Sequence, residues 1–269
     1  MKTRIVSAFL LIPLTLFIYL GGMPLLLIAF VIGAIAISEF SEGFRTIGIR
    51  PSRPTAWFCL LLLYGIYGHM IETDASVASY AHYVMLWFFF VVAMSLMMIL
   101  FRKEHNVSDG TVTMISVFYI GFFSSHAVLI DHLEHGSILI WLALFTAFGT
   151  DTFAYLAGMR FGKRKLCPAL SPKKTVEGAA GGVVGSILLC TLFGLFLIPD
   201  MVLHCAVIGC LGSLFAQIGD LVASAFKRTM GIKDYGNLIP GHGGILDRFD
   251  SILFTLPIVY YYTIFIIYN

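Results

Sequence analysis

Charge is scarce in this chain. Asp, Glu, Lys and Arg make up only 12% of its 269 residues, against 59% hydrophobic. A soluble globule must present a large share of its residues to water, so this balance excludes one. Cysteine is sparse too. Cys59, Cys167, Cys190, Cys205 and Cys210 are scattered, without a C-x-x-C pair, which points away from a zinc site or a disulfide framework. No internal repeat, low-complexity stretch or long hydrophilic segment is visible. After Lys2 and Arg4 an apolar run begins as in a secretory leader, but no small-x-small cleavage pattern follows it. An uncleaved first helix is the expectation.

What fills the chain instead is a series of apolar runs, each near the roughly 20 residues that cross a bilayer as helix. They predict about nine transmembrane helices, near 5–21, 23–38, 56–71, 82–101, 111–130, 136–158, 178–198, 201–226 and 251–268. The expected fold class is therefore all-α, a polytopic integral membrane protein. Two regions are expected: 1–130, with about five N-terminal helices, and 131–269, whose loops 159–177 and 227–250 hold the chemistry.

The net charge of +2 is uninformative, but its distribution is not. All 17 basic residues fall in alternate connections: Lys2 and Arg4; Arg45, Arg50 and Arg53; Arg102 and Lys103; Arg160, Lys163, Arg164, Lys165, Lys173 and Lys174; and Lys227, Arg228, Lys233 and Arg248. The other connections carry only acids, namely Glu72, Asp74, Asp131, Glu134 and Asp200, or none. Basic residues stay on the cytoplasmic side during insertion. The N-terminus is thus expected inside, the C-terminus outside, and the multi-pass chain in the cell's inner membrane with its active site facing the cytoplasm. Nucleic acid is not an expected partner.

The two long basic loops are where polar chemistry gathers. Ser213, Gln217, Asp220, Ser224 and Lys227 recur at steps of four and three, so they share one face of an otherwise apolar helix. Helix packing is the plain alternative for such a stripe. An intramembrane acid followed by a Lys-Arg pair suits a site better. Glycines 231, 236, 241, 243 and 244 follow, around Pro240 and His242, and let backbone approach a phosphate closely. Asp247, Arg248 and Asp250 come next. Carboxylates of this kind hold Mg²⁺, which bridges to substrate phosphates, while Lys and Arg neutralise the phosphates.

Asp151 lies near the end of its span, and S-P-K-K-T (Ser171 to Thr175) precedes a glycine-rich helix start. Free N–H groups at such a start favour an anion. Retention of positive charge on the inner side explains Lys163 to Lys165 as well as a site does, but it does not explain hydroxyls and glycines beside lysines. Gly178, Gly181, Gly182 and Gly185 are expected to pack a neighbouring helix closely.

Ser224 to Asp250 resembles the C-terminal signature of the phosphatidate cytidylyltransferases, S-x-apolar-K-R-x4-K-D-x-small-x2-apolar-P-x-H-G-G-apolar-x-D-R-apolar-D. Every specified position is filled: Ser224, Lys227, Arg228, Lys233, Asp234, Gly236, Pro240, His242, Gly243, Gly244, Asp247, Arg248 and Asp250. Asp151, Ala154, Tyr155 and Gly158, with Ser171 to Gly178, resemble the family's second block.

The resemblance implies a nucleotidyltransferase of phospholipid biosynthesis that makes CDP-diacylglycerol and pyrophosphate from CTP and phosphatidic acid. It implies Mg²⁺ or Mn²⁺ in a two-metal site, membrane lipids around the chain, and a homodimer. On this reading Asp220 and Asp247, then Asp151 and Asp250, are the metal ligands. Lys173, Lys227, Arg228, Arg248 and Asp247 are catalytic. Ser171, Lys173, Lys174, Thr175, Ser224, Lys227, Arg228, His242, Gly243, Gly244 and Arg248 contact substrate. An isoprenoid-lipid cytidylyltransferase on the same scaffold is the nearest rival. A secondary transporter would show paired repeats and midplane acids instead.

Overall fold

The computed structural model describes residues 14–101, 106–238 and 243–268. Most of the first predicted span, as well as Lys2, Arg4, Arg102, Lys103, Pro240 and His242, lie outside them. Residues 14–20 are helical. Eight further helices among the described residues are long and apolar enough to cross a membrane. These are α1 (Gly22–Arg45), α2 (Arg53–Glu72), α3 (Val77–Phe101), α4 (Val107–Asp131), α5 (Gly136–Phe161), α6 (Val176–Leu197), α7 (Val202–Thr229) and α8 (Leu246–Tyr262), which runs on to Ile267 as a π-helical turn. The eight predicted spans after the first all coincide with these helices. An all-α polytopic membrane protein is the fold.

The helices end where local chemistry makes them end. Asn106 caps α4 by accepting from the Asp109 N–H (3.0 Å), while Asp109 accepts from the Asn106 N–H (2.9 Å), a reciprocal pair that satisfies two otherwise unbonded donors. Thr175 caps α6 by accepting from the Gly178 N–H (3.1 Å). Past α7, Gly231 takes the left-handed conformation with φ +69°, which only glycine adopts without strain and which commonly stops a helix.

Contacts gather the described residues into two units. The first comprises those up to Glu134 together with Thr229–Arg248; the second comprises His135–Arg228 and those from Phe249 onward. In the first unit the end of α1 carries the segment after α7. Phe40 is fully buried and its ring lies 6.2 Å from that of Tyr235, the Thr46 hydroxyl donates to the Met230 carbonyl (2.8 Å), and Gly43 sits against Met230 and Ile232.

In the second unit α5 and α6 pack through the predicted glycine stripe. A Cβ on Gly178 would stand 2.8 Å from the Ala154 carbonyl, and one on Gly182 would stand 3.0 Å from the Thr150 carbonyl. Small residues allow such backbone approach between membrane helices, where dispersion contacts rather than water expulsion drive association.

The connection from α5 to α6 is more ordered than the sequence suggests. It holds an antiparallel hairpin, β1 (Lys165–Cys167) and β2 (Ser171–Thr175), with Lys165 opposite Thr175 and Cys167 opposite Ser171. Glu177, in the first turn of α6, accepts from the backbone N–H groups of Lys163 (2.9 Å) and Arg164 (3.1 Å) and so fastens the hairpin's entry.

Candidate active site

The second unit contains a cavity of ≈ 470 Å³, within the roughly 300–1,000 Å³ typical of small-molecule sites. Four elements meet there, the start of α6 contributing Gly178 and Ala179. α5 brings Asp151 and Tyr155, the hairpin brings Lys173, Lys174 and Thr175, and α7 brings Gln217 and Asp220. Ala154, Met159 and Leu166 supply apolar wall. The polar stripe on α7 explains how α7 contributes. Gln217 donates to the Ala179 carbonyl (3.2 Å) and Ser224 donates to Asp220 Oδ1 (3.4 Å), so the side chains above and below Asp220 anchor its face.

Asp220 is ion-paired with Lys174, both side chains being about a quarter exposed (26% and 28%). A carboxylate at that depth needs a compensating cation, and here the tip of a β-strand supplies one. Asp250 is buried, accepts from the Ser251 N–H (2.7 Å), and lies within electrostatic reach of Asp220, Lys227 and Asp151. Arg228 Nε donates to the Leu170 carbonyl in the hairpin turn (3.2 Å). The second unit therefore brings Asp151, Lys173, Lys174, Thr175 and Asp220 to one cavity. Asp250 and Lys227 are electrostatic neighbours of this group. Ser171 begins β2 and is not among the lining residues.

The rest of the motif is folded in the first unit. Asp247 Oδ2 accepts from the N–H groups of Tyr235 (2.8 Å) and Gly244 (2.9 Å), and Gly243 turns beneath it with φ +85°. A Cβ on Gly243 would fall 2.7 Å from the same oxygen, so the loop needs glycine there both for the turn and for the approach. Arg248, the next residue, is exposed. His242 lies outside the described residues. Glu39 also belongs to this loop, accepting from the N–H groups of Ile245 (3.0 Å) and Leu246 (2.9 Å). Glu39 falls one residue past the predicted span 23–38 and belongs to neither motif block; an acid inside a mostly apolar helix is the signal that points to it.

Among the described residues no three His, Cys, Asp or Glu side chains are gathered as a metal-holding group. The donor chemistry nonetheless suits a hard divalent ion: Asp151, Asp220 and Asp250 offer only carboxylate oxygens. Asp220 already holds a cation, the Lys174 ammonium.

Fold and cavity together define a multi-pass membrane protein with a basic, carboxylate-bearing pocket suited to phosphorylated ligands. The chain belongs to the cytidylyltransferase family, whose model matches residues 2–266. It is 33% identical over 266 residues to the phosphatidate cytidylyltransferase of Bacillus subtilis strain 168, covering 97% of each chain. It is 33% identical to that of Staphylococcus epidermidis, over 96% of this chain and 97% of the relative. To that of Staphylococcus haemolyticus it is 31% identical, over 96% and 95%. The family resemblance read from the two motif blocks stands.

Proposed function

We propose that this chain transfers the cytidylyl group of CTP to phosphatidic acid, giving CDP-diacylglycerol and pyrophosphate. The observation that carries the reading is the cavity where Lys173, Lys174 and Thr175 meet Asp151 and Asp220, in a chain whose full-length relatives are phosphatidate cytidylyltransferases.

A phosphate oxygen of the lipid attacks the α-phosphorus of CTP. The bond from that phosphorus to the oxygen bridging to the β-phosphate breaks, and pyrophosphate leaves with the electron pair. The nucleophile arrives charged, because the second pKa of a phosphomonoester is about 6. No general base is required, and positioning with electrostatic stabilisation carries the rate. Lys173 and Lys174 neutralise phosphate charge from β2, and Thr175 and Ser171 add hydroxyl donors. Ser224, Lys227 and Arg228 act from the end of α7. By the motif, Gly243, Gly244, His242, Asp247 and Arg248 serve the CTP triphosphate.

Asp220, Asp250 and Asp151 are the residues of the second unit that would hold Mg²⁺ or Mn²⁺, two ions on this reading; the family motif alone adds Asp247 as a ligand. A bound divalent ion would supply charge neutralisation at the phosphates. Lys174, the present partner of Asp220, would serve phosphate with its ammonium when the carboxylate holds an ion.

The segregation of Lys and Arg into alternate loops supports an N-terminus, basic loops and site facing the cytoplasm, with the C-terminus outside and the chain in the inner membrane. A homodimer belongs to the same proposal, through family resemblance alone.

The test is to incubate detergent-purified protein with radiolabelled CTP, phosphatidic acid and Mg²⁺, with and without EDTA. Label extractable into organic solvent only when lipid and metal are both present is the expected result. Label that requires an isoprenoid phosphate instead of phosphatidic acid would assign the scaffold to a different lipid.

A further inference from the structure

Glu39 stands inside α1, on the same helix as the fully buried Phe40. One of its carboxylate oxygens accepts from the Ile245 N–H and the other from the Leu246 N–H, at 3.0 and 2.9 Å. Those donors sit at the start of α8, where the first N–H groups have no partner within the helix and the dipole favours negative charge. A phosphate would ordinarily be welcome there. In this fold the Glu39 carboxylate takes the position, so this helix start is an anchor point rather than a ligand site.

The surrounding loop is shaped to admit that carboxylate. A Cβ on Gly236 would lie 2.7 Å from Glu39 Oε1, and one on Gly244 would be closer still to the carboxylate. Gly244 donates in turn to Asp247 Oδ2 (2.9 Å), and so does Tyr235 (2.8 Å), whose ring packs near Phe40. One acid of α1 thus fixes the backbone at Ile245 and Leu246, immediately before Asp247 and Arg248.

We propose that Glu39 is a positioning residue for cytidylyl transfer: it holds the first turn of α8 so that Asp247 and Arg248 are presented to CTP in one fixed register. The role rests on the activity proposed above. It calls for a carboxylate. Glutamine offers one acceptor oxygen and would turn its NH₂ group toward the second N–H, and aspartate is one methylene too short to reach from α1.

The experiment compares wild type, Glu39→Gln and Gly236→Ala, each purified as the full chain in detergent. kcat and separate KM values for CTP and phosphatidic acid are measured beside thermal unfolding. Glu39→Gln is expected to lower kcat/KM for CTP on the order of 10- to 100-fold, with a raised KM for CTP, an unchanged KM for phosphatidic acid and a melting temperature near wild type. Gly236→Ala, whose methyl group presses on Oε1, is expected to show the same pattern and decides the matter if Glu39→Gln fails to fold. Wild-type kcat/KM in the variants would overturn the role. So would a kcat that falls only with the folded fraction while both KM values stay fixed. A wild type that makes no lipid product from CTP defeats the proposed activity itself, and this role with it; an active wild type with indifferent variants defeats the role alone.

Discussion

At the residue scale the chemistry turns on Asp220 and its partner. Lys174 and Asp220 are some 46 positions apart in the chain, and each is the other's counter-ion at the cavity wall. Removing either leaves a partly buried charge without compensation. Asp220→Asn keeps shape and hydrogen bonding to Ser224 but loses the charge. It is expected to lower kcat by about 10²–10³-fold or more while the protein stays monodisperse in detergent. Retention of more than about a tenth of the wild-type rate would remove Asp220 from the metal-holding set. Lys174→Met should cost activity through CTP, seen as a raised KM for CTP in steady-state kinetics with little change for phosphatidic acid.

Much of this residue-level picture was legible beforehand. Asp151, Lys173, Lys174, Thr175 and Asp220 all announced themselves as polar residues where a membrane protein has few, and the cavity gathers all five. The pairing of Lys174 with Asp220 was not legible, because spacing along one helix says nothing about which strand will face it. Glu39 escaped for the same reason. Its meaning depends on backbone donors some two hundred positions away, at Ile245 and Leu246.

At the scale of elements, apolar length alone was enough to place the helices from α1 to α8, since a bilayer allows little besides helix of sufficient length. The hairpin between α5 and α6 had no such signature. Lys165–Cys167 and Ser171–Thr175 are short and basic, with Pro168 just after the first and Pro172 inside the second; their pairing is imposed by the fixed ends, with Thr175 capping α6 and Glu177 tying Lys163 and Arg164. The hairpin matters because it carries Lys173 and Lys174. The α5–α6 interface matters because both helices line the cavity. Gly182→Leu would drive a side chain into the Thr150 carbonyl and the Ala154 Cβ, which stand 3.0 and 3.1 Å from an ideal Cβ. Overpacking of this kind costs about 1–3 kcal/mol or more, so a lower melting temperature in detergent is expected. An unchanged one would contradict the close approach of these helices.

For the whole molecule, the strongest sequence statement is the sorting of Lys and Arg. It implies a topology that can be measured. With the five native cysteines replaced by alanine, single cysteines at Asp74 and Asp200 should react with a membrane-impermeant maleimide on intact cells. One at Lys163 should react only after the membrane is opened. Labelling of Lys163→Cys from outside would reverse the assignment and move the cavity away from cytoplasmic CTP.

The most direct test of the central claim uses CTP labelled in parallel at the α- and γ-phosphorus, with purified protein, phosphatidic acid and Mg²⁺. α-Label is expected in the lipid phase, with γ-label released as pyrophosphate in equal amount. γ-Label in the lipid, or no lipid label from folded protein, would contradict attack by phosphatidic acid at the α-phosphorus of CTP.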